Sequence, residues 1–298
     1  MHALKTVVGY DGSDESRAAL HWALDDARRT GAAVELVHAC TWPALMPAAS
    51  MIPATSVWPD GEALEALREL LDAAVAGARA THPEVPVTQA FIRGPAALVL
   101  VERAAHATQL VVGGRGHSAV AGILIGSVSS AVATHAPCPV VVVRDRPDGE
   151  DHRPVVVGLD ESSCAEVAAG FAFDQAAARG AAVHAVRAWM PPPDPWIGPP
   201  VPDREEVSAA ERRALTDQLA GWRDKFPAVA VTADVVVGHP ARVLTDASRD
   251  AQLIVVGSRG RGGFRSLLLG SVSRHLLQHS RCTVAVARDL PGQGRAER

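Results

Sequence analysis

The sequence predicts an α/β protein of two tandem domains, each a doubly wound parallel sheet flanked by helices. Three observations carry that expectation. Short all-apolar runs, Val-Val-Val-Gly at 155–158 and Pro-Val-Val-Val-Val at 139–143, suit parallel strands covered on both faces. Longer segments with helical character separate such runs, so strand and helix alternate along the chain. The alternation also occurs twice. VVGYDGS at 7–13 answers VVGLDES at 156–162, and Asp11 to Asp160 and Gly31 to Gly180 share an offset of 149. Further on the offset is 144, from Gly94 to Gly238, Gly113 to Gly257 and Cys138 to Cys282. A length difference in one variable loop accounts for the change. So long a period belongs to tandem domains and not to a solenoid.

Taken in order, the first repeat predicts a strand over 6–10, a helix over 15–30 and a strand over 33–39. After a Pro-rich loop come a helix over 62–80, a strand over 85–92 and a helix over 96–107. A strand over 110–112, a helix over 128–134 and a strand over 140–143 complete it, and the second repeat ends on a strand over 283–287. Parallel strands joined by helices require crossovers, which are right-handed. The ligand crevice of such a sheet lies beyond the carboxyl ends of its strands. Asp11, Ala39 and Gly113 fall at those ends in one repeat, and Asp160, Ala188 and Gly257 in the other.

The connections at 42–61 and 189–204 are dense in Pro and Trp and long for this architecture. Leaving the second strand at its carboxyl end, each is either a partial lid over the crevice or a disordered surface loop. The segment 144–154, charged and rich in turn formers, separates the expected domains at 1–146 and 153–290, and the tail at 291–298 should be mobile.

Composition narrows the class. A chain of 298 residues, 48% hydrophobic and 21% charged, is globular. A net charge of −4 gives no general drive toward nucleic acid. Cys40, Cys138, Cys164 and Cys282 form no CxxC pair and no His cluster has zinc spacing, so no metal site is expected. These cysteines read as buried small hydrophobes or free thiols in a reducing cytoplasm. The N-terminal stretch enters a strand pattern with no signal segment before it, which argues against secretion. From His117 to Val143 no charged residue occurs, long enough to span a bilayer. The equivalent window of the second repeat carries Arg261, Arg265, Arg274 and Arg281, which argues against membrane insertion.

The chemistry concentrates in two matching loops, LVVGGRGHSAVAGILIGSVS at 110–129 and LIVVGSRGRGGFRSLLLGSVS at 253–273. Each reads Gly-x2-Gly-x9-Gly-Ser, through Gly113, Gly116, Gly126 and Ser127 and through Gly257, Gly260, Gly270 and Ser271. Glycines permit tight turning and close backbone approach. A helix beginning after Gly-Ser offers free N–H groups and a positive dipole end to an anion. The loops therefore read as a phosphate cradle present twice. Neither is a Walker A loop, lacking Gly-Lys-Ser/Thr, nor a dinucleotide fingerprint, lacking GxGxxG. Asp11 and Asp160 have two readings, a helix cap or Asx turn, or a carboxylate that accepts from a ribose hydroxyl or an adenine amino group.

Together these residues resemble the universal stress protein family, in its ATP-binding, tandem-domain form, over about 2–145 and 153–289. The resemblance implies two Rossmann-like (adenine nucleotide α-hydrolase-like) domains, each an open five-stranded parallel sheet flanked by helices. It implies ATP as cofactor, with Mg2+ on its phosphates, adenine near the first two strand ends and phosphates on the glycine loop. By position, Asp11 and Asp160 would hold the adenosine, and Ala39 and Ala188 would read adenine through backbone groups. Val112 with Gly113, and Val256 with Gly257, would line the nucleoside. Gly116, Gly126, Ser127, Val128 and Ser129 would cradle phosphates in one site, and Gly260, Gly270, Ser271, Val272 and Ser273 in the other. The copies differ where His38 is answered by Arg187. Arg115 and His117 stand near the first loop, and Arg259, Arg261 and Arg265 near the second, which predicts tighter, more salt-sensitive ATP binding at the second site.

No GxSxG elbow, paired carboxylate or metal signature stands near the loops. The expected function is therefore a nucleotide-dependent regulator in stress response or growth control, acting on an unidentified protein partner, with at most slow ATP hydrolysis. The rival is an ATP-hydrolysing enzyme of the adenine nucleotide α-hydrolase-like group, whose Ser-Gly-Gly-x-Asp-Ser or His-x-Gly-His motifs are absent here. A nucleotide-free assembly module fits the intact glycine loops less well. The apolar last strands suggest, with the family, an internal pseudo-dimer and homodimerisation beyond it.

Overall fold

Each repeat closes its parallel sheet around the apolar runs that mark it in the sequence. The computed structural model describes residues 4–40, 61–116, 125–144, 152–190, 204–261 and 268–289. The chain divides into two units, Met1–Val143 and Arg144–Arg298. The first contains β1 (Lys5–Gly9), α1 (Asp14–Thr30), β2 (Ala33–Cys40), α2 (Gly61–Thr81), β3 (Val87–Arg93), α3 (Ala96–Ala104), β4 (Gln109–Gly113), α4 (Ser127–His135) and β5 (Val140–Val143). Its strands run in the order β3-β2-β1-β4-β5, all parallel. The second contains β6 (Val155–Gly158), α5 (Ser163–Arg179), β7 (Val183–Trp189), α6 (Arg204–Lys225), β8 (Val231–Val237), α7 (Pro240–Ala247), β9 (Leu253–Gly257), α8 (Ser271–His279) and β10 (Thr283–Ala287). The order β8-β7-β6-β9-β10 repeats the first unit's pattern.

In each unit the chain order reverses between the first and fourth strands. That is the switch point at which helices on opposite faces part and a crevice opens at the carboxyl edge. The central strands are apolar on both faces because helices cover both: Val7, Val8, Leu110 and Val111 are fully buried, as are Val155, Val157, Leu253 and Ile254.

The helices that follow β1 and β6 are bounded by their own sequence. Ser13 and Ser162 cap α1 and α5, accepting from the N–H groups of Ser16 and Ala165 at 3.2 Å. Gly31 and Gly180 end them in the left-handed region, at φ 72° and 63°, which explains why glycine recurs there in both repeats.

Boundaries move where local chemistry intervenes. The strand expected from 85 begins at Val87, because Pro86 has no N–H and Val85 N–H turns back to His82 O at 3.1 Å. The helix expected to reach 107 ends at Ala104. Beyond it the N–H groups of Ala105, His106 and Ala107 reach back only three residues, a tighter closing turn. The helix expected from 128 begins at Ser127, with Gly126 as its N-cap. Most of the loops expected at 42–61 and 189–204, most of the segment 144–154, and the tail lie outside the described residues. Among the described residues no helix is long and apolar enough to cross a membrane.

Candidate nucleotide site

Both glycine loops are rooted by the same three bonds. In the first unit Gly114 N–H donates to Val143 O (3.0 Å), Gly126 N–H to Gly114 O (2.8 Å), and the Ser129 hydroxyl to Gly113 O (2.6 Å). In the second, Ser258 N–H donates to Ala287 O (2.6 Å), Gly270 N–H to Ser258 O (2.7 Å), and the Ser273 hydroxyl to Gly257 O (2.7 Å). A loop leaving β4 or β9 is thereby brought back to the start of α4 or α8. The hydroxyl protons of Ser129 and Ser273 are thus committed to the loop's own carbonyls, which leaves the main-chain N–H as the donor each can still offer an anion.

Among the described residues no side chain caps those N–H groups. Gly126 and Gly270 are N-caps without a side chain, and neither helix makes a side-chain cap bond. The first-turn amides of Ser127, Val128 and Ser129, and of Ser271, Val272 and Ser273, have no carbonyl of their own helix to meet. They sit at the positive dipole end, an arrangement suited to an anion.

Asp11 and Asp160 divide their oxygens. In each, Oδ1 closes an Asx turn, accepting from the serine two residues on through its N–H at 3.0 Å and its hydroxyl at 2.5 Å. The serine, not the aspartate, then caps the helix. The other oxygen faces the glycine loop across the switch point: Asp160 Oδ2 accepts Arg261 N–H at 2.8 Å. A Cβ on Gly116 would lie 2.6 Å from Asp11 Oδ2, and one on Gly260 would lie 2.5 Å from Asp160 Oδ2. The second glycine of each motif therefore admits a carboxylate. The first admits a helix: a Cβ on Gly113 would lie 2.7 Å from the Glu15 backbone, and one on Gly257 would lie 2.8 Å from Cys164 Cβ.

In the second unit these parts enclose a cavity of about 500 Å3. The described residues nominated from the sequence in that repeat all line it: Asp160, Ala188, Val256, Gly257, Arg259, Gly260, Arg261, Gly270, Ser271, Val272 and Ser273. Leu159, Val186, Pro240 and Leu244 add apolar walls, and Trp189 and His239 also line it. In the first unit, Asp11 and Gly116 meet across the switch point, and Gly113, Gly126 and Ser129 form the loop root described above. Ala39 and Val112 stand one residue before the carboxyl ends of β2 and β4, each of which runs one residue further than expected. His117 and Arg265 lie outside the described residues.

Sequence reasoning missed a polar network on α6. Buried Arg187 pairs with Glu211 at 3.0 Å, donates to Gln218 at 2.8 Å and lies 3.9 Å from Glu161. Gln218 in turn donates to Asp160 O (3.1 Å) and Glu166 (2.7 Å), tying α6 to the turn after β6. Arg261 pairs with Glu161 and lies 3.8 Å from Glu211. The bond and charge of Arg261 hold the Glu161 carboxyl below its ordinary range, and Glu161 raises Arg261 in return. The signal was present. Glu211 and Gln218 are seven apart, on one helical face, where the first repeat has apolar Leu67 and Ala74. The first unit instead packs Leu70 against Gly12, and His38 turns Nδ1 to Tyr10 O at 2.9 Å. Among the described residues no group of three His, Cys, Asp or Glu is placed to hold a metal ion.

The sequence model of the universal stress protein family matches residues 4–144 and 152–288. Universal stress protein Rv2623 of Mycobacterium tuberculosis H37Rv is 36% identical over 301 residues, covering 96% of this chain and 97% of that protein. Universal stress protein Mb2028c of Mycobacterium bovis is 37% identical over 292 residues, covering 95% and 96%. Among solved structures, a universal stress protein from Archaeoglobus fulgidus DSM 4304 matches with a TM-score of 0.71 at 18% identity, covering 97% of this chain and 99% of that one. At that identity the likeness is one of fold.

Proposed function

The chain belongs to the universal stress protein family, and on that premise we propose that it is an ATP-binding regulator whose nucleotide occupancy alters its affinity for a protein partner. One observation carries the reading. In the second unit the uncapped start of α8, the carboxylate of Asp160, admitted by Gly260, and the apolar side chains of Leu159, Val186 and Leu244 line one cavity. Triphosphate would take the amides of Ser271, Val272 and Ser273, and any Mg2+ would ride on its phosphates. The sugar would meet Asp160, and adenine would lie toward Ala188 and Leu244. The first unit would bind in the same manner through Asp11, Gly116 and the start of α4.

The described side chains around the cavity supply binding groups and no arranged nucleophile and base, which favours retention of ATP over turnover. Mass spectrometry of small molecules released from gently purified protein, followed by calorimetric titration with ATP and adenosine, tests the binding. Incubation with radiolabelled ATP tests the regulator against the enzyme. Stoichiometric retained ATP supports the former, and rapid release of AMP and pyrophosphate supports the latter.

A further inference from the structure

We propose that the second residue of the helix after the first strand of each unit, Glu15 in α1 and Cys164 in α5, sets how strongly that unit's loop favours polyphosphate over nucleoside, and that Arg259 is the discriminating cation of the second site; the inference rests on the nucleotide reading above.

These two residues hold equivalent places, 149 apart, and each is pressed against the root of its loop. The missing Cβ of Gly113 makes room for the Glu15 backbone, and that of Gly257 for Cys164. From there Glu15 reaches the loop, with Oε1 3.2 Å from Arg115 Nε. A phosphate arriving at Arg115 competes with a carboxylate already there and is repelled by it. In the second unit the same place holds a buried thiol, with Sγ 3.6 Å from the Ser258 hydroxyl. Arg259, the counterpart of Arg115, lines the cavity with no carboxylate at that position. The neighbouring Arg261 is engaged by Glu161 and Glu211. Among the described residues Arg259 is thus the loop guanidinium best placed to make charge-assisted bonds to phosphate oxygens, while adenosine, lacking phosphate, gains nothing from it.

The test uses the full chain with one site closed at a time. Gly260→Val closes the second site, since its side chain collides with Asp160, and Gly116→Val closes the first. With the second site closed, Glu15→Gln should raise ATP affinity by about fivefold and leave adenosine affinity unchanged. With the first site closed, Arg259→Gln should lower ATP affinity by about tenfold and spare adenosine. In that background Cys164→Asp should lower ATP affinity likewise, and Cys164→Ser should alter neither ligand. Should Cys164→Asp fail to fold, the Arg259 variant still decides. An unchanged ATP-to-adenosine ratio in Glu15→Gln, or equal losses for both ligands in Arg259→Gln, overturns this inference alone. No binding of either ligand by the unsubstituted chain overturns the nucleotide reading and this inference with it.

Discussion

Asp160 joins two loops with one carboxylate: Oδ2 accepts the N–H of Arg261 at 2.8 Å while Oδ1 accepts both donors of Ser162. An amide cannot replace it. Asparagine offers one acceptor oxygen and one donor NH2, so whichever way it turns, a backbone N–H of Ser162 or Arg261 loses its acceptor. A fully buried donor left unsatisfied costs about 1–3 kcal/mol of folding stability, and these two, exposed or part-buried, should cost about 1 kcal/mol. On the nucleotide reading the amide also removes the charged acceptor offered to the sugar, so Asp160→Asn, measured by calorimetry with the first site closed by Gly116→Val, should weaken ATP binding about tenfold or more. The fold, monitored by thermal unfolding, should shift by only a few degrees.

The glycines of one motif should fail in different ways. A methyl group on Gly113 would press into the backbone of Glu15 at 2.7 Å, and backbone cannot swing aside. Gly113→Ala should destabilise the first unit by about 1–3 kcal/mol, the cost of overpacking. On Gly116 the neighbour is Asp11 Oδ2 at 2.6 Å, the end of a side chain, which can turn away. Gly116→Ala should keep its denaturation midpoint near that of the parent and lose nucleotide at the first site. Denaturant melts beside ATP titrations separate the two outcomes.

Much of this was legible before any coordinates. The apolar runs, Gly31 and Gly180, and the paired Gly-x2-Gly-x9-Gly-Ser loops are local signals, and local signals survive in sequence because backbone geometry demands them. The reasons for individual glycines were less legible. That Gly113 yields to a helix and Gly116 to a carboxylate depends on chain segments about a hundred residues away. The network of Arg187, Glu211 and Gln218 escaped because a polar residue on a helix normally reads as a solvated face. It was detectable only by setting Glu211 and Gln218 beside Leu67 and Ala74 of the other repeat.

Glu35, midway along β2, carries a pH dependence of its own. It is 8% exposed, with Lys5 Nζ 2.6 Å from Oε2 and Arg103 against Oε1. Burial by itself raises its carboxyl, but bonds from Lys5 and Arg103 and their two charges override burial and hold it below the ordinary range. A carboxyl lowered by folding contributes stability above its unfolded pKa and loses it as pH falls through the folded value. Glu35→Gln should therefore cost about 1–3 kcal/mol near neutrality. The cost should shrink as acid protonates the parent's carboxylate, which urea melts at descending pH will measure. A cost that stays constant through the acid range would show that packing, and not charge, holds this position.

The two sites should also answer salt differently, though by less than a count of arginines implies. The second loop carries Arg259 and Arg261 where the first carries Arg115 and His117. Yet Arg261 is partnered by Glu161 and Glu211, and Arg115 by Glu15, so each site has part of its positive charge answered within the protein. Among the described arginines of the loops, the imbalance that remains lies with Arg259. Interactions of such surface cations with phosphate are screened over about 10 Å at 0.1 M ionic strength. Asp11→Ala leaves the second site to report, and Asp160→Ala leaves the first. The Asp11→Ala chain should bind ATP more tightly in dilute buffer and lose more of that affinity as salt rises. Adding Glu161→Gln to it, which releases Arg261 toward the phosphates, should steepen the salt dependence further. If the two single variants trace the same curve against ionic strength, the loop arginines do not distinguish the sites, and differences in occupancy must arise from uncharged residues around them.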